Sequence, residues 1–363
     1  MTRYLLAGGG TAGHVNPLLA VADRIMDREP DAVIFVLGTA EGLESRLVPA
    51  RGYELLVVPR LPFPRRPNGA ALRFPGRFRQ IVALIRAILV EKKIDVVVGF
   101  GGYVSGPAYL AARQEHVPIA VHEANARPGI ANRLGARLSR HVGVAFRGTR
   151  LPHAIFVGMP LRREIERLDR AALRREAIAH FGLSPNKLTL LVTGGSKGAR
   201  SINETVFAAA TSILGAGWQI LHVTGEGSEI TSTDLADYLI IPYCDRMDLA
   251  IAAVDFAVAR AGAATVSEFS ALGLPAAYVP LAIGNGEQKL NAREAVAAGG
   301  ALLVANADFT PDWVAGQLVP LLEDRALVAD MAARARSVGV LDGADRMVDL
   351  VVSAADGQVH LSR

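Results

Sequence analysis

The stretch Tyr4-Leu5-Leu6-Ala7-Gly8-Gly9-Gly10-Thr11-Ala12-Gly13-His14 decides how the chain is read, with Pro17, Leu18, Ala20, Val21 and Ile25 following it at helical spacing. An apolar run, a glycine turn and an amphipathic segment spell strand, loop, helix. The same order returns at residues 187–193, an apolar strand that runs into Gly194-Gly195-Ser196-Lys197-Gly198-Ala199-Arg200 and a helix from about Ser201. The chain therefore holds two similar halves. Further buried strands fit residues 32–37, 55–58, 94–99, 118–122 and 141–145, with a last one leading into Phe156-Val157-Gly158-Met159-Pro160. In the second half they fit 219–224, 238–241, 255–259, 276–279 and 301–304. Helix-like stretches separate several of these, so each half predicts a parallel sheet covered on both faces. The expected architecture is α/β, two Rossmann-like domains facing across a cleft, because open α/β sheets bind ligands beyond the carboxyl ends of their strands. The domains divide as residues 1–160 and 161–342, with residues 162–181 reading as one charged helix closed by Gly182.

With 363 residues the chain is long enough for two cores. Hydrophobic residues are 51% and charged residues 20%, which argues against disorder and coiled coil. The single cysteine, Cys244, permits no intrachain disulfide and no cysteine metal cluster, and fits a cytosolic protein. Arg3 alone precedes the first apolar run, so the layout of a signal peptide is missing. No uncharged apolar run reaches the length of about 18 residues needed to cross a bilayer; residues 81–90 carry Arg86 in their middle.

Gly8-x-Gly10-x-x-Gly13 matches the dinucleotide fingerprint between a strand and a helix. That reading also wants an acidic residue closing the second strand, where the sequence has Val36-Leu37-Gly38-Thr39-Ala40 and only then Glu41. A glycine loop at a helix N-terminus offers free N–H groups and the positive end of the dipole to phosphate or to developing negative charge. The second loop carries Lys197 and Arg200 and is the stronger phosphate candidate. Either loop is also readable as a tight turn that needs glycine for sterics alone. His14 opens the first helix, where the dipole disfavours its protonation, so it is a candidate general base or a capping residue.

Five motifs occur in order: residues 8–17, Gly101-Gly102-Tyr103-Val104-Ser105-Gly106-Pro107, His122-Glu123-Ala124-Asn125, the loop 194–200, and Arg260-Ala261-Gly262-Ala263-Ala264-Thr265-Val266-Ser267-Glu268. Together they resemble the MurG family, the bacterial N-acetylglucosaminyltransferases of peptidoglycan synthesis, over essentially the whole chain. The resemblance implies a GT-B fold and an inverting, metal-independent transfer of N-acetylglucosamine from UDP-N-acetylglucosamine to lipid I, giving lipid II, with no cofactor. The sequence contains no Asp-x-Asp, the usual carboxylate pair for a metal on a sugar-nucleotide diphosphate, so backbone N–H groups and helix dipoles would hold the leaving UDP.

By the same resemblance, Ala263, Ala264, Thr265, Val266 and Ser267 lie near the diphosphate and Glu268 accepts from the ribose hydroxyls. Ser196 and Arg162 contact donor phosphate or sugar, the Cys244 backbone meets the uracil, and Gln288, with Asn291 beside it, reads the sugar hydroxyls. His14, Tyr103, Glu123 and Asn125 face the acceptor, and Gly10, Thr11 and Ala12 approach the donor from across the cleft. His14 is the first choice of base and Glu123 the second. Residues 344–355 would form a helix returning to the first domain. Departures from the family pattern are Ala12 for Gly, Ala124 for Gln, Ala261 for Ser, and Glu287 in a stretch that often reads His-Gln or Gln-Gln. The remaining alternatives are another UDP-sugar:lipid glycosyltransferase, a nicotinamide oxidoreductase, or a nucleotide-sugar binder without turnover.

Residues 60–93 hold nine basic residues against the single acid Glu91, interleaved with Leu61, Phe63, Leu72, Phe74, Phe78, Ile81, Val82, Leu84 and Ile85. Such a segment suits an apolar patch ringed by cations on the anionic inner leaflet, where a polyprenyl-linked acceptor resides. It is also readable as a solvated loop and an ordinary amphipathic helix. Nucleic acid is disfavoured, since few aromatics and no binding motif accompany the arginines. The expected location is peripheral, on the cytoplasmic face of the membrane, with other wall-synthesis enzymes as the protein partners the resemblance suggests.

Overall fold

The computed structural model describes residues 1–64, 69–195, 197–281 and 286–357. Two compact units emerge, Met1–Arg162 with Leu341–Arg363, and Arg163–Val340.

The first unit is built on β1 (Arg3–Ala7), β2 (Val33–Gly38), β3 (Glu54–Val57), β4 (Val96–Gly99), β5 (Ile119–Glu123), β6 (His141–Val144) and β7 (Ala154–Phe156). These form one parallel sheet in the order β3-β2-β1-β4-β5-β6-β7. Side chains alternate between its faces. Tyr4 and Leu6 pack with the buried side of α1 (Ala12–Arg28), while Leu5 and Ala7 pack on the opposite face. That opposite face is covered by α3 (Gly69–Lys92) and α4 (Ser105–Gln114), while α2 (Glu44–Ala50) and α5 (Ile130–Leu138) lie between successive strands.

The helix Gly343–Ala355 belongs to this unit. Its Met347, Val348, Leu350, Val351 and Ala354 are buried in the same cluster as Leu18, Val21 and Ile25 of α1. Asp345 pairs with Arg24 and Arg28, and Arg28 reaches Asp349 at 2.6 Å. Gly343 sits so close to the backbone of Met159 that a Cβ there would overlap the Met159 carbonyl.

The second unit carries α6 (Arg163–Glu166), α7 (Arg170–Phe181), β8 (Leu188–Thr193), α8 (Arg200–Ala208), β9 (Trp218–Val223), β10 (Tyr238–Ile241), β11 (Phe256–Ala259), β12 (Ala276–Tyr278) and β13 (Ala301–Leu303). Its parallel sheet runs β10-β9-β8-β11-β12-β13. Every strand anticipated from the sequence is present, within about two residues at each end. The single helix expected over 162–181 is instead two. Asp169 leaves helical geometry (φ −90°, ψ 99°) and its side chain accepts from the N–H groups of Ala171 and Ala172, so it caps a new helix, which ends at Gly182 (φ 65°).

Strand order reverses between β1 and β4 in one unit and between β8 and β11 in the other. Loops leaving adjacent strands in opposite directions open a crevice at such a point, and both glycine loops lie there.

Candidate active site

In the first unit the site residues come from loops at the carboxyl ends of the neighbouring strands β1, β4 and β5. Gly10 (φ 90°) and Thr11, the N-cap of α1, are exposed, and Ala12 opens the helix. His14 Nδ1 lies 3.2 Å from the Gly9 carbonyl oxygen and 3.2 Å from Thr11 Oγ1. A carbonyl only accepts, so a hydrogen bond to Gly9 requires the proton on Nδ1 and leaves Nε2 its lone pair, while the Thr11 hydroxyl can take either role. Burial pushes the His14 pKa below its usual 6.5, against the raising pull of the Glu123 charge, the Gly9 carbonyl and the Glu44 charge. A neutral imidazole is what proton abstraction needs.

The loop after β4 closes against this histidine. A Cβ on Gly101 (φ 95°) would sit 3.1 Å from His14 Cδ2 and Nε2, and one on Gly102 (φ 83°) 2.6 Å from the Gly9 carbonyl oxygen. Glycine is required at both places by backbone angle and by space. Tyr103, next along, is 40% exposed with the Arg60 guanidinium 5.3 Å from its ring centre.

Glu123 ends β5 and is 3% exposed. Its carboxylate accepts from Asn125 N–H at 2.9 Å, Gly129 N–H at 3.0 Å and Asn132 Nδ2 at 3.0 Å. Asn132 in turn accepts from the Tyr109 hydroxyl at 2.7 Å. Three donors on one buried carboxyl group hold it in place and order the loop carrying Asn125. This arrangement favours His14 over Glu123 as the proton acceptor.

In the second unit a pocket of about 610 Å³ opens at the β8/β11 switch point. Gly194, Gly195, Lys197, Gly198 and Arg200 line one side, and Arg260, Gly262 and Thr265 another, with Gln288 and Asn306 completing it. Two helix N-termini meet there, those of α8 and of Ala263–Ala271, capped by Ala199 and Gly262 in extended conformation. Neither cap residue has a side chain that accepts from the first-turn N–H groups. Positive helix ends and three cations around one cavity make an anion site. Arg260 is held by the carbonyls of Val279 and Pro280, by Asn306 Oδ1 at 2.7 Å and by Ser201 Oγ at 3.0 Å.

The remaining second-half candidates are placed as follows. Ala264, Thr265 and Ser267 are half-buried on the helix Ala263–Ala271, whereas Ala263, Val266 and Glu268 turn inward at 8%, 2% and 9% exposure. Val266 can therefore offer only its backbone. Gln288 Oε1 accepts from Leu281 N–H at 2.9 Å on the pocket wall. Asn291 is fully buried and donates to the Ala261 carbonyl at 3.2 Å, bracing the β11 loop. Cys244 lies in the turn after β10, with its thiol pushed up to about 11 by burial and hence protonated. Arg162 is the last residue of the first unit before α6. Ser196 lies outside the described residues.

The basic segment divides in two. Ile81, Val82, Ile85 and Leu89 are core, as an ordinary amphipathic helix would have them. Phe63, Phe74 and Phe78 form an aromatic row, with ring centres 5.3 and 5.6 Å apart, that runs from the exposed Phe63 to Phe78 packed against the core, and Leu72 is exposed. Of the cations, Arg86 pairs with Glu115 and Lys92 with Glu54, while Arg65 and Arg66 lie outside the described residues. Among the described residues no helix is long and apolar enough to cross a membrane.

The glycosyltransferase family 28 N-terminal domain matches residues 4–144, and the family's C-terminal domain matches residues 189–347. The chain belongs to glycosyltransferase family 28. This glycosyltransferase is 64% identical over 351 residues to a protein of Leifsonia xyli subsp. xyli named UDP-N-acetylglucosamine-N-acetylmuramyl-(pentapeptide) pyrophosphoryl-undecaprenol N-acetylglucosamine transferase, covering 97% of this chain and 98% of that one. It is 51% identical to a protein of the same name from Paenarthrobacter aurescens, covering 96% and 95%. Among solved structures, MurG of Acinetobacter baumannii superposes with a TM-score of 0.79 at 28% identity, over 97% of this chain and 100% of that one. The two-domain GT-B expectation is thus met by family, relatives and fold together. A UDP-GlcNAc 2-epimerase from Neisseria meningitidis, at 14% identity and a TM-score of 0.70, shares the fold alone.

Sequence reasoning passed over Glu44, Asn132 and Asn306, and gave Arg260 no role inside its motif. Glu44 is fully buried, with its carboxylate accepting from Gly10 N–H at 2.8 Å, Thr39 N–H at 2.9 Å and Thr39 Oγ1 at 2.9 Å. Burial alone would raise its pKa, but these donors outweigh it and hold the carboxyl below its usual value. The Gly10 N–H that the dinucleotide fingerprint would give to a phosphate is therefore already taken. In the structure a Cβ at Gly9, Gly38 or Gly42 would overlap the Glu44 side chain, a relation that no sequence pattern carries.

Proposed function

We propose that this chain transfers N-acetylglucosamine from UDP-N-acetylglucosamine to undecaprenyl-diphospho-N-acetylmuramoyl-pentapeptide, lipid I, giving lipid II for peptidoglycan. The observation that carries this is whole-length kinship, 64% and 51% identity over at least 95% of each chain, with proteins named for that reaction. The donor's diphosphate fits the cationic pocket of the second unit, with Gln288 on its wall toward the sugar; Glu268, on the helix that begins beside Thr265 of that wall, is assigned to the ribose by the family resemblance.

The reaction is a single inverting displacement. The acceptor hydroxyl oxygen bonds to the anomeric carbon, the bond from that carbon to the β-phosphate oxygen breaks, and the hydroxyl proton passes to His14 Nε2. Charge appearing on UDP falls to the two helix ends, Lys197 and Arg200, and this donor set supports a reaction without a bound metal. The exposed Phe63 and Leu72, with Arg73, Arg77 and Arg79 on α3, suit contact with an anionic leaflet, and a peripheral place on the cytoplasmic face follows from the acceptor.

Transfer of label from UDP-N-acetylglucosamine to a short-chain lipid I analogue, with EDTA present and UDP-galactose as a parallel donor, tests the reading. Transfer from the first donor alone, undiminished by EDTA, supports it. Binding of the donor with no lipid product would leave the donor site standing and remove the acceptor assignment.

A further inference from the structure

The Gly9–Gly10 peptide unit has both of its polar groups engaged, by side chains from two different elements. Its N–H donates to Glu44 Oε2 at 2.8 Å, and its carbonyl oxygen stands 3.2 Å from His14 Nδ1. In a trans peptide the N–H and C=O point in opposite directions, so one plane links the two side chains. We infer that Glu44 is a positioning residue for His14, acting through this peptide to hold the imidazole as its Nδ1–H tautomer with Nε2 free to take a proton. The inference rests on the proposed role of His14 as the base.

Three further features support it. A carboxylate accepting from an amide N–H polarises the unit, which makes its carbonyl a stronger acceptor for Nδ1–H. The carboxylate itself cannot swing away, because Thr39 N–H and Oγ1 hold its other oxygen and the side chain fills the space left by Gly9, Gly38 and Gly42. The carbonyl is equally confined, since Gly102 packs against Gly9 on the far side. A peptide free to flip would present N–H to Nδ1 and select the wrong tautomer. The arrangement performs the task that a carboxylate bonded directly to histidine performs in a catalytic triad, with an amide interposed. Glu123, the other charge acting on His14, is held by three donors of its own and makes no hydrogen bond to the ring.

The test needs the intact wild-type protein first. Two-bond couplings to the ring nitrogens in protein labelled with ¹⁵N-histidine should show His14 protonated at Nδ1 above its pKa; a ring protonated at Nε2 overturns the inference without any variant. Glu44→Gln should then raise the Nε2–H population and lower kcat by roughly 10–100-fold with the donor KM little changed. Thr39→Val keeps the Gly10 bond while loosening the same pocket, so it should leave the tautomer as in wild type. If both variants alter the ring equally, Glu44 serves packing alone and the inference fails; an unaltered ring in a folded Glu44→Gln protein also overturns it. Should His14→Ala retain turnover, the base assignment falls, while the tautomer measurement still judges the Glu44 link.

Discussion

The two glycine loops share a sequence grammar, a place in the fold and even a backbone angle, with φ 90° at Gly10 and 87° at Gly195. Their electrostatics are opposite. Beneath the first loop lies a buried carboxylate that consumes the Gly10 N–H. Around the second, no carboxylate accepts from a loop amide among the described residues, and Lys197, Arg200 and Arg260 converge with two helix ends. A strand-glycine-helix unit therefore specifies a crevice, and the charge that stands around the loop sets the crevice's electrostatics.

The largest expected effect breaks the comparison on the first side. His14→Ala should lower turnover by roughly 10²–10⁴ while leaving donor affinity little changed; near-normal turnover in a stopped assay would move the base elsewhere. Because the base works deprotonated and burial has lowered its pKa, the acid limb of kcat/KM in wild type should fall below pH 6.5. A limb above that value would contradict a neutral His14. On the second side, Glu268→Ala should weaken UDP-N-acetylglucosamine binding by about 1–3 kcal/mol in calorimetry, the cost of leaving buried polar partners unpaired. Unchanged affinity would take Glu268 off the ribose.

A matched pair sharpens the contrast. At neither Gly10 nor Gly195 would a Cβ meet any atom within 4 Å, so alanine at either place meets backbone strain alone, about 1–2 kcal/mol from thermal melts. Only Gly195→Ala should also weaken UDP binding. Equal losses of UDP affinity would mean that both loops hold phosphate. The smallest effect is Lys197→Ala, expected to weaken UDP by about 0.2–1 kcal/mol and to do so less as salt rises.

The strands were legible because a parallel strand buried on both faces is a continuous apolar run, as in Val96-Val97-Val98 or Leu190-Leu191-Val192. The break between α6 and α7 was not, since Asp169 reads equally as a solvated helix residue or as a cap until its side chain is seen turned onto Ala171 and Ala172. Thr265 and Gln288 were singled out only by the family's motifs, whereas His14 stood out because it opens the helix directly after the first glycine loop. Glu44 was hidden for the opposite reason. It touches a loop some thirty residues away in the chain, and only the β1–β2 pairing that sets Ala7 beside Leu37 brings the two together. A buried carboxylate with its donors on another element leaves no local periodicity to read.

The helix Gly343–Ala355 has a consequence for the order of synthesis. Its apolar side completes the cluster around α1, so the unit that begins first on the ribosome is finished last, after all of residues 163–340 have emerged. The second unit is continuous in the chain and can close as soon as it is made. Until the helix Gly343–Ala355 arrives, Leu18, Val21 and Ile25 lack part of their cover. The half that carries His14 is thus the one whose maturation waits for residues 343–355.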